Sequence, residues 1–426
     1  MSALITLVLL LLVLFGAPLF AVIAASALLG FHHEGVDLSV IGIEINRLSD
    51  MPVLIAIPLF TFAGYVLGES QAPHRLVQVS KLLLGWLPGG LAIVALVACA
   101  LFTAFTGASG VTIVALGALL YPALQEAGYS DRFNLGLITT SGSLGLLFAP
   151  SLPLILYGVV AQQLNIGQPV RIEDLFLAGI LPGLLMLLVL SLWSGWQRVH
   201  KTTYQRHPFS WKECRSTLLD AGWELPLPFL VLGGIYSGFI AVSEAAALTA
   251  FYVLLVEVVI KREIRLVQLP GLIRSSMIMV GGIMIILAVS LASTNYLIDA
   301  EVPTRAFELI RAHIDSKWTF LILLNVFLLI LGMMLDIFSA IILMIPLILP
   351  IAIGYGINPL HLGIVFLANM QLGYFTPPVG MNLFIASYRF DKPVWDIYKA
   401  TLPFFGILLL VVLVITYWPW LSLALL

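Results

Sequence analysis

The run LITLVLLLLVLFGAPLFAVIAASALLG, Leu4 to Gly30, contains no charged residue and is long enough to cross the hydrocarbon of a bilayer. Comparable runs recur at about 51–69, 86–107, 110–124, 134–160, 175–196, 225–240, 242–260, 276–298, 318–335, 337–355, 360–387 and 401–424. Backbone polar groups inside lipid must be satisfied within the chain, which leaves helices or a closed barrel. The ten-residue alternation of barrel strands is missing, so the sequence describes an all-α polytopic membrane protein. With 61% hydrophobic and 10% charged residues, the chain cannot cover an ordinary soluble surface.

AVIAAS near the end of the first run resembles a signal-peptidase site, but no Lys or Arg precedes Arg47, so the basic region of a signal peptide is missing and the run is read as a retained span. A net charge of −2 argues against a nucleic-acid surface. Cys99 lies in an apolar run and Cys214 in a polar loop, which fits two free thiols. CxxC, HExxH and a phosphate-binding glycine loop are all lacking, so nothing points to ATP or to an organic cofactor.

The most polar interruption carries Arg198, Lys201, Arg206, Lys212 and Arg215, and Lys261, Arg262 and Arg265 follow one apolar pair later. Cytoplasmic loops gather positive charge, so both segments are placed there, with 225–260 crossing out and back.

The sequence also repeats. APHRL at 72–76 matches VPTRA at 302–306, AGYS at 127–130 matches IGYG at 353–356, and NLGLITTSGSLGLLFAP aligns with HLGIVFLANMQLGYFTPP through two Leu-Gly pairs and a proline five residues later. Four matches in one order at offsets between 226 and 230 define two homologous halves. An odd number of crossings separates them, so the second half should be inverted. One feature opposes this: loops 71–81 (Arg75, Lys81) and 301–317 (Arg305, Arg311, Lys317) are both basic, although inversion puts them on opposite sides.

Each half contains two places where a membrane helix should break. FTAFTGASGVT (102–112) reads as the tip of a re-entrant helical hairpin, and TTSGSLGLLFAPS (139–151) as a helix unwound in its middle. Their counterparts are LGMMLDIFS around Asp336 and QLGYFTPPVGMNLF (371–384). Glycine frees backbone carbonyls, small hydroxyls add oxygens, and new helix N-termini carry positive partial charge, so such pairs suit a monovalent cation together with a carboxylate. Close packing or simple kinking is the rival reading of each stretch taken alone.

Asp336 is read both as the cap of the helix starting at Ile337 and as part of the ion-site electrostatics, because a carboxylate in an apolar region is costly. Glu244 sits near a turn, where it would cap or pack. Asn325, Asn369 and Asn382 either line a polar path or bond neighbouring helices. His32, His33, Trp86, Trp418 and Trp420 fit an interfacial belt.

LPGGLAIVALVACALFTAFTGASG, GIYSGFIAVSEAAALTA and the block from LGMMLDIFS to TPPVGMNLFIAS together resemble the large membrane subunit of a TRAP (tripartite ATP-independent periplasmic) transporter, over essentially the whole chain. The resemblance implies a multi-pass protein of the bacterial inner membrane, a secondary active transporter rather than an enzyme. It implies an elevator mechanism with a scaffold and a mobile transport domain, and two sodium sites. The expected partners are a small four-helix membrane subunit on a separate polypeptide and a periplasmic binding protein that delivers a C4-dicarboxylate, keto acid or sialic acid. Carried over by position, Gly107, Ala108, Ser109, Gly145 and Pro150 resemble one sodium site, and Gly332, Asp336, Thr376, Pro377 and Gly380 the other. Thr106, Ser151, Pro378 and Asn382 mark the substrate region.

The expected organisation is an N-terminal helix and connector (1–50), a first repeat (51–196) with a hairpin at 86–124 and a broken helix at 134–160, and a basic loop with scaffold helices 225–260 (197–275). A second repeat (276–426) follows, with a hairpin at 318–355 and a broken helix at 360–387. The rivals are a stand-alone sodium/anion symporter of the same broad fold, or an intramembrane enzyme. The latter needs a partner for Asp336 at matching depth, and the sequence offers none that is obvious.

Overall fold

The computed structural model describes residues 8–9, 11–12, 15–33, 35–48, 51–84, 89–164, 166–196 and 211–426; Trp86, Arg198, Lys201 and Arg206 lie outside them. No strand occurs among the described residues. Helices α1 (Leu19–His33) and α2 (Ser39–Arg47) precede the first half. That half comprises α3 (Ala56–Glu69), α4 (Ala72–Leu84), the hairpin α5 (Gly90–Thr106) and α6 (Ser109–Glu126), α7 (Asp131–Ser141), a 3-10 turn at Leu144–Leu147, α8 (Leu152–Leu164) and α9 (Ile172–Trp196). Helices α10 (Trp211–Asp220), α11 (Pro226–Tyr236) and α12 (Val242–Leu254), the last extended by a π-helical stretch at Leu255–Ile260, form the connection.

The second half repeats the order: α13 (Leu269–Asp299), α14 (Val302–His313), the hairpin α15 (Lys317–Met334) and α16 (Ile337–Gly354), α17 (Pro359–Gly373), α18 (Met381–Phe390) and α19 (Val394–Tyr417), then the short α20 (Trp420–Leu423). Seven described helices are long and apolar enough to span a membrane, and α7 with its 3-10 turn makes an eighth with α8, bent by 42°.

Packing follows the repeat. On the outside, α3 lies against α12, and α13 against α1, with α3 and α13 also in contact. Inside, the halves interlock: α6 packs on α18 and α16 packs on α8, so the outgoing arm of each hairpin meets the second part of the other half's broken helix. Apolar faces such as Phe229, Ile278, Leu323 and Leu410 stay exposed, as lipid-facing residues should.

The connection differs from expectation. Segment 225–240 is apolar throughout, yet α11 has only 11 residues, about 16 Å of helix, too short to cross by itself. The Ser237–Ala241 turn interrupts what hydropathy reads as one run. The two loops placed together by charge do meet: the Lys261 ammonium donates to the Asp220 carbonyl (2.7 Å) and the Glu224 carboxylate (2.9 Å).

Helix α4 lies on that same face, because Arg75 donates to Glu263, and the 31-residue α13 then carries α14 across to the other side. The repeats are therefore inverted. The basic character of both corresponding loops is resolved by burial: Arg75 is 5% exposed among carboxylates, so its charge is neutralised inside the protein, whereas the Arg305 side chain is 74% exposed.

Candidate functional site

The first hairpin turns on Gly107, whose φ of +64° is the left-handed conformation that favours glycine, and its N–H donates to the Thr103 carbonyl (2.8 Å). Ala108 follows as the N-cap of α6 and has no side-chain oxygen, so no side chain caps that helix. Behind the tip, the Thr103 and Thr112 hydroxyls are hydrogen-bonded (2.6 Å), and Thr103 also donates to the Gly142 carbonyl (2.9 Å). That ties the hairpin to the break after α7.

The break itself is pressed onto the hairpin. A Cβ on Gly145 would lie 2.2 Å from the Ala100 carbonyl oxygen, and one on Gly107 would lie 2.5 Å from Leu152. Gly107, Ala108 and Ser109 are thus brought against the segment that holds Gly145 and Pro150. Ser151 is fully buried and donates to the Leu146 carbonyl (2.6 Å), closing the turn.

In the second half, Asp336 caps α16, accepting from the Phe338 and Ser339 N–H groups (both 3.0 Å) and from the Ser339 hydroxyl (2.5 Å). The Ile337 N–H donates to the Tyr374 hydroxyl (2.8 Å), which fastens this tip to the break after α17. Gly332 and Gly373 meet backbone to backbone: a Cβ on Gly373 would lie 2.5 Å from the Gly332 Cα. Thr376 donates to the Leu372 carbonyl (2.6 Å), and the Gly380 N–H to the Thr376 carbonyl (3.1 Å). These bonds hold the Pro377–Pro378 turn, which is exposed, and the Pro378 carbonyl accepts from the Tyr398 hydroxyl.

Asn382, on the first turn of α18, joins the two halves. It accepts from the Ser109 hydroxyl (2.8 Å) and donates to the Thr139 carbonyl (3.3 Å). The N-termini of α6 and α18 therefore converge; α18 is also without a side-chain cap, although its Asn382 N–H donates to the Tyr374 carbonyl (2.9 Å). Positive partial charge collects there, chiefly from α6.

Beside them lies a cavity of about 640 Å3, between α3 and α13 on one side and α6 and α18 on the other. Gly110 lines it next to Ser109, and Glu69 and Tyr388, both exposed, line it toward the face that carries α4. No Lys or Arg lines this cavity. The first turn of α6 reaches it at Gly110 and Val111, whereas α18 lines it with Phe384, Ile385 and Tyr388.

Three buried groups near the breaks hold oxygens without a hydrogen-bond partner: Thr106 Oγ1, Thr140 Oγ1 and Gln371 Oε1. Among the described residues no cluster of three His, Cys, Asp or Glu could hold a metal ion. The oxygens at the tips and breaks are those of hydroxyls, amides and carbonyls, with the Asp336 carboxylate at the second tip, hard donors that suit a hard cation.

Sequence reasoning did not single out Thr140, Gln371 or Tyr374. Gln371 carried a usable signal, a second amide two residues after Asn369 in an apolar run, beside a Leu-Gly pair. The role of Tyr374 rests on a contact 37 residues away. The three asparagines prove to bond neighbouring helices: Asn369 donates to Asn325 (2.6 Å), and Thr416 to the same Asn325 oxygen (3.1 Å). Glu244 accepts from the Ala241 N–H (2.9 Å), a capping role.

The family model described as "Tripartite ATP-independent periplasmic transporter, DctM component" matches residues 5–421. The C4-dicarboxylate TRAP transporter large permease protein DctM of Rhodobacter capsulatus is 33% identical, covering 87% of this chain and 86% of its own. The ectoine/5-hydroxyectoine large permease protein UehC of Ruegeria pomeroyi is 30% identical over 99% of this chain and 98% of its own. The isethionate permease protein DctMQ of Oleidesulfovibrio alaskensis is 34% identical over 88% of this chain, which spans 58% of that relative's length. Among solved structures, the YdaH transporter of Alcanivorax borkumensis shares the fold with a TM-score of 0.62 at 13% identity, covering 90% of this chain and 87% of that one.

Proposed function

The chain belongs to the DctM family, the large component of tripartite ATP-independent periplasmic transporters, and from that premise we propose that it is a sodium-coupled importer of an organic acid. It is a multi-pass membrane protein and a transport component rather than an enzyme. The solute is a carboxylate, of the kind named for the relatives that carry C4-dicarboxylates or ectoines. A periplasmic binding protein delivers it, and a small membrane subunit completes the permease in the bacterial inner membrane.

The observation that carries this reading is the meeting of two helix N-termini without side-chain caps at the Ser109–Asn382 hydrogen bond, beside a cavity that no described Lys or Arg lines. A carboxylate seated there is held by N–H groups, a weak enough grip for release. One sodium ion binds at Gly107, Ala108, Ser109, Gly145 and Pro150. A second binds at Gly332, Asp336, Thr376, Pro377 and Gly380. With both ions bound, positive charge flanks the solute, which couples its binding to the gradient. The hairpins and broken helices move as a unit against α3 and α13, in the manner of an elevator.

The test is uptake by proteoliposomes containing this chain, its small subunit and its binding protein, with a panel of organic acids. Uptake should require an inward sodium gradient and should stop when potassium replaces sodium. Uptake that persists without sodium overturns the coupling, and uptake without the binding protein favours a stand-alone symporter.

A further inference from the structure

Away from the hairpins, a second cluster of charge is enclosed where α4 meets the end of α12. Arg75, in the first turn of α4, donates through both terminal nitrogens to Glu263 (2.5 and 3.2 Å), and the Gln71 N–H donates to the same carboxylate (2.8 Å). Glu224 receives Arg75 at 2.6 Å and Lys261 at 2.9 Å. Glu257 completes the group from the π-helical stretch. It is 0% exposed, its nearest cation is Arg75 at 3.5 Å, and no hydrogen-bond donor reaches either of its oxygens.

The charges do not cancel. Among the described residues Glu224, Glu257 and Glu263 face Arg75 and Lys261, so three ionised carboxylates would leave one negative charge in excess, and it would fall on the Glu257 side chain, which is 0% exposed, an expensive arrangement. Burial pushes the Glu263 carboxyl up, but hydrogen bonds from Arg75 and the Gln71 N–H, with Glu257 beside it, hold it below the usual carboxylate range. Burial likewise works against the charge on Arg75, and Glu263 and Glu224 together keep its pKa above the ordinary value. These groups stay charged, and Glu257 is left over.

A metal ion is a poor answer, since no such group of acids among the described residues could hold one. The charged and titratable side chains described on the surrounding elements are Glu69, His74, Arg215, Asp220, Arg262, Arg265 and Arg274, all exposed. Half-buried Lys81 lies further along α4, and the half-buried Tyr252 hydroxyl is engaged with the Trp223 carbonyl. None of them supplies a counter-charge to Glu257.

We propose that Glu257 is a proton-binding site, occupied at neutral pH, whose proton is donated to the Glu263 carboxylate and is required for the N-terminus of α4 to dock on α12. Atoms balance simply: one proton from water converts the carboxylate to a carboxyl, which becomes a donor where there was only repulsion. When the proton leaves at high pH, three carboxylates surround Arg75 and α4 loosens. Because α4 packs along α5, the site sets how firmly the first hairpin is anchored.

The test uses the purified full chain in lipid nanodiscs. Infrared spectra at neutral pH should show the carbonyl band of a protonated carboxyl group in the wild type and lose it in E257Q. Hydrogen exchange, corrected for intrinsic rates, should show α4 losing protection as pH rises in the wild type but keeping it in E257Q. A wild type without the band, a band that survives E257Q or vanishes only in E224Q, or an E257Q whose α4 still opens with pH overturns the proposal. E257Q reproduces the protonated shape, so its failure to fold would also count against it.

Discussion

The two hairpins are built alike and finished differently. Their arms have 17 and 18 residues in the first half and 18 and 18 in the second, and each lies against a broken helix. At the second tip Asp336 fills the N-terminus of α16 with the chain's own carboxylate, while at the first Ala108 leaves the N-terminus of α6 uncapped. The surroundings differ too: the break after α7 is closed in, whereas Pro377, Pro378 and Val379 are exposed. The repeat thus conserves backbone geometry and divides the charge. The second tip carries built-in negative charge beside its proposed cation site, whereas the first leaves positive partial charge open to an anion next to the other proposed cation site.

If geometry is what the halves share, the largest losses should come equally from both. Gly145 and Gly373 are repeat partners at an offset of 228, and each sits against backbone of the hairpin it supports. Gly145→Ala would meet the Ala100 oxygen and Gly373→Ala the Gly332 backbone, contacts that no rotamer relieves. Each substitution should cost about 3 kcal/mol, the upper end for overpacking, and lower the thermal unfolding temperature of the purified protein. A clear loss for one and none for the other would break the symmetry.

The difference in charge is tested next by converting each tip toward the other. Asp336→Ala removes the acceptor of two N–H groups and should destabilise by about 1–2 kcal/mol. Asp336→Asn keeps the cap and should keep the unfolding temperature, yet raise the sodium concentration for half-maximal uptake. Ala108→Asp is the reciprocal change: a new cap on α6 should stabilise by about 1 kcal/mol while abolishing uptake, because a fixed carboxylate occupies the solute's place. Normal uptake by a stabilised Ala108→Asp protein would sink the assignment of that N-terminus to the solute.

A smaller effect is expected behind the first tip. Thr103→Val keeps the shape but removes the hydroxyl that bonds Thr112 and Gly142, and should cost about 1 kcal/mol in thermal unfolding. An unchanged unfolding temperature would mean that glycine packing alone holds hairpin and break together.

Much of this was legible in the sequence because helix breakers are local signals. Gly107, the Gly-Pro pattern of the two breaks and the cap at Asp336 each act within a few residues, so their roles follow from neighbours in the chain. The length of α11 was not, since hydropathy registers apolar character and not where a turn at Ser237–Ala241 ends the helix. The cluster around Arg75 was hidden for another reason: its carboxylates come from positions 224, 257 and 263, brought to α4 only when α12 packs on α3. The Ser109–Asn382 bond likewise spans 273 residues and crosses between halves.

That bond gives the finest test of how the two tips share their tasks. Ser109→Ala removes the donor to an Asn382 oxygen in a fully buried side chain, while Asn382 keeps its bond to the Thr139 carbonyl, so the stability cost should be only about 1 kcal/mol. The Ser109 hydroxyl gives its hydrogen to Asn382, which leaves the oxygen's lone pairs free for a cation. Uptake assays should therefore find a several-fold rise in the sodium concentration for half-maximal transport, with the solute's KM little changed, and Ser109→Thr should restore the wild-type value by returning a hydroxyl. The opposite pattern, a raised KM with sodium dependence intact, would move Ser109 from the ion to the solute. The first hairpin would then handle anions alone, as sharply divided from the second as their caps are.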